Sequence, residues 1–267
     1  MKSYFLINNK KVFYSDIGKG SPIVLLHGYL ESLETWNDFA KELSKNYRVI
    51  SIDIPGHGNS ECLSEFHSLE QLSKTIYESL QKLNVEKCYL IGHSMGGYLT
   101  LMFHKLYPEL LSGFCLFHSH PFADTKETKK KRLREIDFVN EGKKDLIAKF
   151  NIPNAFANEN RTSFKAEIQI TVNIALQTPK EGIIANLQAM KSRPDLSESL
   201  QQSQIPFLLI AGKKDNYIDC NSIIPKIKLP ENSELCVLEN SGHMGFIEEK
   251  EMSLKIISHF ILRSLKL

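Results

Sequence analysis

Lys87-Cys88-Tyr89-Leu90-Ile91-Gly92-His93-Ser94-Met95-Gly96-Gly97 is an apolar run that ends at a glycine-flanked serine and passes directly into a helical pattern reaching Leu106. A strand that turns sharply into a helix at a serine holds that residue in strained backbone geometry. The flanking glycines remove Cβ atoms that would clash in so tight a turn. The hydroxyl then projects at the carboxyl end of a sheet, beside a helix N-terminus whose dipole and free amides favour a developing negative charge. A Gly-x-Ser-x-Gly turn between a strand and a helix is therefore expected to present a nucleophile.

Outward from this turn, strand and helix patterns alternate. Tyr4 to Ile7, a polar Asn8-Asn9 turn and Val12 to Tyr14 read as a hairpin. Pro22 to Leu26 and Arg48 to Ile52 are short continuous apolar runs, as expected of strands covered on both faces. Between them Thr35 is placed to cap a helix carrying Trp36, Phe39, Ala40 and Leu43, with Trp36 in its core face. Ser68-Leu69-Glu70-Gln71 has the capping-box pattern, followed by the stripe Leu72, Ile76, Leu80 and Leu83. Phe114 to Phe117, Phe207 to Ile210 and Leu235 to Leu238 are further strands, and a last helix near Lys250 to Leu262 is expected to bury Met252, Ile256 and Phe260. The fold class is α/β, a mostly parallel central sheet flanked by helices.

From about His118 to Gln204 the rhythm breaks into helical patterns without a convincing strand. Thr178-Pro179-Lys180-Glu181 combines a cap, a proline at the first helical position and a capping-box glutamate, with Ile183, Leu187 and Met190 following at helical spacing. The expected division is a core of residues 1–117 and 205–267 with a helical cap inserted at 118–204. Phe156, Phe164, Ile168 and Val172 either line a pocket under the cap or pack its core.

A serine hydroxyl is a weak nucleophile unless a base takes its proton. Ser241-Gly242-His243-Met244-Gly245 places His243 between glycines, after the last strand and before the last helix. Gly212-Lys213-Lys214-Asp215 follows the penultimate strand and supplies a carboxylate fit to hold the histidine tautomer. Asp219 is the runner-up and Asp124, after the sixth strand, a weaker candidate. Two amides must converge on the oxyanion of an attacked carbonyl. Met95 is expected to give one and Tyr29, in the loop His27-Gly28-Tyr29-Leu30, the other, with Leu30 as alternate.

These pieces resemble the α/β-hydrolase fold superfamily, in its capped esterase-like branch. The matching segments are His27-Gly28, Asp53-Ile54-Pro55-Gly56-His57-Gly58-Asn59-Ser60, Gly92-His93-Ser94-Met95-Gly96-Gly97, Gly212-Lys213-Lys214-Asp215 and Gly242-His243. The resemblance covers about residues 20–117 and 205–265. It implies a nucleophile elbow, an oxyanion hole and a catalytic triad in the chain order Ser94, Asp215, His243. It further implies that the inserted helices shape the substrate pocket. Relatives with an aspartate at the elbow, haloalkane dehalogenases and most epoxide hydrolases, are excluded by Ser94. The missing Gly-Gly-Gly loop and the absence of a large apolar lid argue against a true lipase. The implied activity is hydrolysis of small carboxylic esters or thioesters. A carbon–carbon bond hydrolase or lyase using the same triad is the alternative, and a ligand-sensing receptor-like protein is the alternative of another class.

Composition narrows the rest. The formal charge of +2 over 267 residues gives no global reason to expect nucleic acid or an anionic membrane, so the expected partner is a small ester-like molecule. Five cysteines without paired spacing suggest neither a disulfide framework nor a Cys-x-x-Cys zinc or redox site, and no cofactor is implied. No segment reads as a signal peptide or a membrane span, which makes the cytoplasm the expected location. Lys126 to Arg134 holds six basic residues in nine and reads as the solvated face of a helix. His118, His120 and Met244 are substrate-pocket candidates. No metal site is expected at the two histidines, because no acidic partner stands near them in sequence. His93 is expected to pack under the turn.

Overall fold

The computed structural model describes residues 2–265. Among the described residues the chain forms one sheet of eight strands, in the order β1-β2-β4-β3-β5-β6-β7-β8. Strands β1 (Lys2–Ile7) and β2 (Lys10–Ile17) form the hairpin, and β2 also runs antiparallel to β4 (Arg48–Ile52). From β4 onward every pairing is parallel, through β3 (Pro22–Leu26), β5 (Cys88–His93), β6 (Leu111–Phe117), β7 (Phe207–Gly212) and β8 (Ser233–Leu238). Strands β5 and β7 are buried along their whole length, which explains why their sequences are continuous apolar runs rather than alternating ones.

Helices α1 (Asn37–Leu43), α2 (Leu69–Lys82) and α3 (Met95–Leu106) join the early strands. Five helices, α4 (Lys126–Asn140), α5 (Lys144–Ala155), α6 (Lys165–Gln177), α7 (Lys180–Ser192) and α8 (Ser197–Gln201), lie between β6 and β7. Within this segment α4 packs on α7 and α5 on α6. The short α9 (Cys220–Ile223) and α10 (Gly245–Glu248) precede the terminal α11 (Lys250–Ser264). No described helix is long and apolar enough to cross a membrane.

Ser68 caps α2 by accepting the amide of Gln71, as its sequence suggests. Three local expectations are corrected. Ser32, not Thr35, is the cap before α1; it opens a short 3-10 turn, Leu33–Trp36, in which Thr35 accepts the Ser32 amide. Thr178 closes α6 instead of opening α7: its amide donates to Ala175, its carbonyl accepts Lys144 Nζ, and Pro179 stands as the α7 N-cap. The buried face of α11 is Ser253, Ile257, Phe260 and Ile261, while Met252 is exposed. Ser253 goes inward because its hydroxyl donates to the Gly245 carbonyl at 3.0 Å, a bond that hydrophobic spacing does not reveal. Trp36 is fully buried as expected, against Phe246, Phe117 and the His93 ring.

Candidate active site

The carboxyl ends of the parallel strands converge on Ser94. It has φ 49° and ψ −111°, a conformation costly for a residue with a Cβ. Two glycines make this turn possible. A Cβ at Gly92 would lie 2.2 Å from the Gly96 carbonyl, and one at Gly96 would lie 2.4 Å from that of Leu26. The Ser94 amide donates to Phe117 on the neighbouring strand at 2.9 Å, and its carbonyl accepts the Ser119 hydroxyl at 2.8 Å. These bonds fix the turn to β6. The Ser94 side chain is half-buried at the start of α3.

Above β3, the amides of Tyr29 and Met95 have no hydrogen-bond acceptor among the described residues. The alternate donor, Leu30, is already engaged: its amide donates to His57 Nε2 at 3.3 Å. The loop is tied down by neighbours that sequence reading missed. Glu31, buried to 3% exposure, accepts the Gly28 amide at 2.9 Å and takes Nδ1 of His93 as its other partner. His93 Nε2 donates to the His243 carbonyl at 2.8 Å. Burial alone would raise the Glu31 carboxyl, but His93 and the Gly28 amide hold it below its ordinary value. Below the turn, then, one carboxylate joins the loops after β3, β5 and β8. His93 does pack under the turn, fully buried.

His243 Nδ1 donates to Asp215 Oδ2 at 2.7 Å, which leaves Nε2 as the free basic nitrogen. Asp215 Oδ1 accepts the amides of Tyr217 and Ile218 at 2.8 and 3.0 Å. Burial opposes charge on Asp215, yet His243 and the hydrogen bonds from His118 and His243 hold its carboxyl far below the usual carboxylate range. Burial likewise pushes the His243 imidazolium down, and the Asp215 carboxylate reverses this, leaving it raised above the ordinary histidine value. The loop bearing His243 is carried from the other side by Glu248, which accepts the amides of Gly242 and Met244 and bonds the Ala157 amide and Asn160. The His243 amide donates to Ala155 at the end of α5. Glu248 was not foreseen from the sequence, since nothing local marks a glutamate on α10 as a hub.

The remaining site candidates fall into different places. His118, read as a pocket residue with no acidic neighbour, lies buried with Nδ1 3.3 Å from Asp215 Oδ2. His120 accepts the Phe122 amide at 3.2 Å and packs on Tyr98, one helical turn beyond Ser94. Burial, reinforced by Arg193, lowers its imidazole to about 4. Met244 is buried at 1% exposure in the core. Asp219 caps α9, and Asp124 pairs with Arg132 and Arg193, so neither reserve carboxylate reaches His243. Arg132 therefore leaves the solvated face that the basic run of α4 otherwise forms. Phe156 is wholly buried core, with Phe164 packed beside it.

Nitrogen and oxygen atoms of His118, Asp215 and His243 lie within 4.8 Å of one another, a spacing that would suit a metal ion. Both Nδ1 atoms face the same carboxylate oxygen as donors, however, and a protonated nitrogen has no lone pair to give a metal. Among the described residues no hydrogen bond joins Ser94 Oγ to His243; the His243 ring lies 4.8 Å from that of His93, the neighbour of Ser94 in the turn.

Comparison with known proteins agrees with this fold. A profile of the family described as the alpha/beta hydrolase fold matches residues 21–250. A putative 2-succinyl-6-hydroxy-2,4-cyclohexadiene-1-carboxylate synthase of Bacillus subtilis is 29% identical over 90% of this chain and 89% of its own. A pimeloyl-[acyl-carrier protein] methyl ester esterase of Aeromonas hydrophila is 27% identical over 91% of this chain and 96% of its own. The solved structure of a thermophilic esterase from Thermogutta terrifontis superposes with a TM-score of 0.91 at 25% identity, over 96% of this chain and 94% of that one.

Proposed function

The chain belongs to the alpha/beta hydrolase fold family, and from that premise we propose that it hydrolyses small carboxylic esters or thioesters through an acyl-enzyme. Ser94 is the nucleophile, His243 the base and Asp215 the acid that orients it. The observation that carries the reading is the 2.7 Å His243–Asp215 pair, brought from the ends of β7 and β8 to the turn that holds Ser94. Similarity to a methyl ester esterase and to a thermophilic esterase supports the ester as the bond broken.

In the first half-reaction His243 Nε2 takes the Ser94 proton while Ser94 Oγ bonds the carbonyl carbon. The carbonyl electron pair moves onto oxygen, which the amides of Tyr29 and Met95 receive. Loss of one such donor typically costs about 3–4 kcal/mol of transition-state stabilisation. Collapse of the intermediate breaks the bond to the leaving group, which departs with the proton held on His243. Water then repeats the sequence on the acyl-enzyme and frees the acid.

Helices α4 to α8, in residues 118–204, are the cap over this chemistry. Two contacts support that role: Tyr29 Oη donates to Glu135 of α4 at 2.9 Å, and Tyr217 Oη donates to the Asn151 carbonyl of α5 at 2.7 Å. The inserted helices are thus anchored at both the oxyanion loop and the acid loop.

Steady-state hydrolysis of p-nitrophenyl esters from acetate to octanoate, with wild type and Ser94→Ala side by side, tests the reading. Turnover that falls on the order of 10⁶-fold in the alanine variant is expected. Equal and feeble rates from both would remove it. The likeness to a carboxylate synthase favours one second reading, a lyase or carbon–carbon bond hydrolase on the same residues. In that case a diketone or acid substrate turns over while simple esters do not.

A further inference from the structure

We propose that His118 is a positioning residue for this reaction, donating its Nδ1–H to the same Asp215 oxygen that His243 uses and thereby limiting that carboxylate's hold on the base. The proposal rests on the triad reading above.

His118 is placed at some expense. Its φ of 50° lies in the left-handed region, uncommon for a residue with a Cβ although histidine is among those enriched there. Its side chain is fully buried, and its Nε2 has no hydrogen-bond partner among the described residues. The chain around it is cut back to admit the ring: a Cβ at Gly212 would lie 2.6 Å from its Cε1, and one at Gly245 would lie 2.4 Å from its Nε2. What the imidazole adds is one N–H aimed at Asp215 Oδ2, 3.3 Å away.

Asp215 consequently receives four donors, two amides on Oδ1 and two imidazoles on Oδ2. The charged groups and titratable rings that face His243 come from every strand end around it. They are Asp215, His118, His93 and Glu31, the Tyr217 phenol whose ring lies 5.3 Å from that of His243, and Glu248 on α10. Burial lowers the His118 imidazole to about 4, with the His243 and His93 rings acting the same way and Asp215 opposing. At neutral pH His118 is therefore an uncharged donor. It divides the charge of Oδ2 between two N–H groups. Without it, Oδ2 bears on His243 alone, the His243 imidazolium is better stabilised, and less neutral base is present at a given pH. The imidazolium would also be a weaker acid toward the leaving group.

The test is a ¹⁵N-histidine NMR titration of wild type, His118→Phe and His118→Asn, read at His243, with ester hydrolysis measured on the same samples. Asparagine tolerates the left-handed backbone and keeps a side-chain N–H. In wild type, His118 is expected as the Nδ1–H tautomer. The His243 midpoint is expected to rise by on the order of half a pH unit or more in His118→Phe and to return toward wild type in His118→Asn, the acid limb of kcat/KM moving with it. An Nε2–H tautomer at His118 in wild type would overturn the proposal, and this readout stands even where the phenylalanine variant does not fold. An unchanged His243 midpoint in folded His118→Phe would overturn it too. Hydrolysis that survives Ser94→Ala would instead sink the triad reading, independently of the His243 midpoint.

Discussion

Asp215 acts at the scale of a single side chain, through hydrogen bonds that a neutral amide reproduces only in part. In Asp215→Asn the amide can donate to His243 Nδ1, which moves the imidazole proton to Nε2 and removes the lone pair that takes the Ser94 proton in the proposed mechanism. A fall in kcat of about 10⁴ with little change in KM is expected from steady-state kinetics, by analogy with the serine-protease triad. A variant within tenfold of wild type would contradict the role. The pH dependence follows from the same carboxylate. On the proposed mechanism catalysis needs neutral His243, and Asp215 raises its imidazolium above the ordinary value of 6.5 despite burial. Activity is therefore present on the alkaline side and lost as pH falls through that raised value, so the acid limb of kcat/KM should lie above 6.5. A profile flat down to pH 5 would show that His243 is not the base.

At the scale of elements, the approach of α7 to the loop after β4 depends on a missing Cβ. One placed on Gly182 would stand 1.8 Å from the Gly56 carbonyl, so Gly182→Ala must push the helix off the core. Overpacking of this kind costs roughly 1–3 kcal/mol. Thermal unfolding should show Tm lower by roughly 2–4 °C per kcal/mol; an unchanged Tm would mean that α7 shifts freely. The strands were legible because residues such as Leu90, Ile91, Leu208 and Leu209 are covered on both faces and so had to form unbroken apolar runs. Ser94 and His243 were legible because each sits between glycines at the end of such a run, and Asp215 because it follows one. Glu31, Glu248 and the turn of His118 onto Asp215 were not. Their meaning lies in partners brought together by tertiary structure, as between Glu31 and His93, and no local pattern encodes that. The misplaced face of α11 has a similar origin, in the buried hydroxyl of Ser253.

For the molecule as a whole, the segment between β6 and β7 is locked by a buried charge cluster. Asp124 pairs with Arg132 of α4 and with Arg193 just past α7, and Arg193 also lies over the Tyr98 ring of α3 at 3.8 Å. Asp124→Asn would leave two guanidinium groups without their carboxylate in a site where Arg193 is 3% exposed. Breaking one partner of a buried pair costs about 3–5 kcal/mol, so urea unfolding should move to clearly lower denaturant; a midpoint unchanged from wild type would show that the cluster contributes nothing net. Above all these stands the claim that Ser94 forms a covalent bond in turnover. Intact-mass and peptide analysis after reaction with a fluorophosphonate tests it directly. One adduct is expected, on the peptide bearing Ser94, with none in Ser94→Ala and slowed labelling in His243→Ala. An adduct on another residue, or equal labelling of Ser94→Ala, would contradict it.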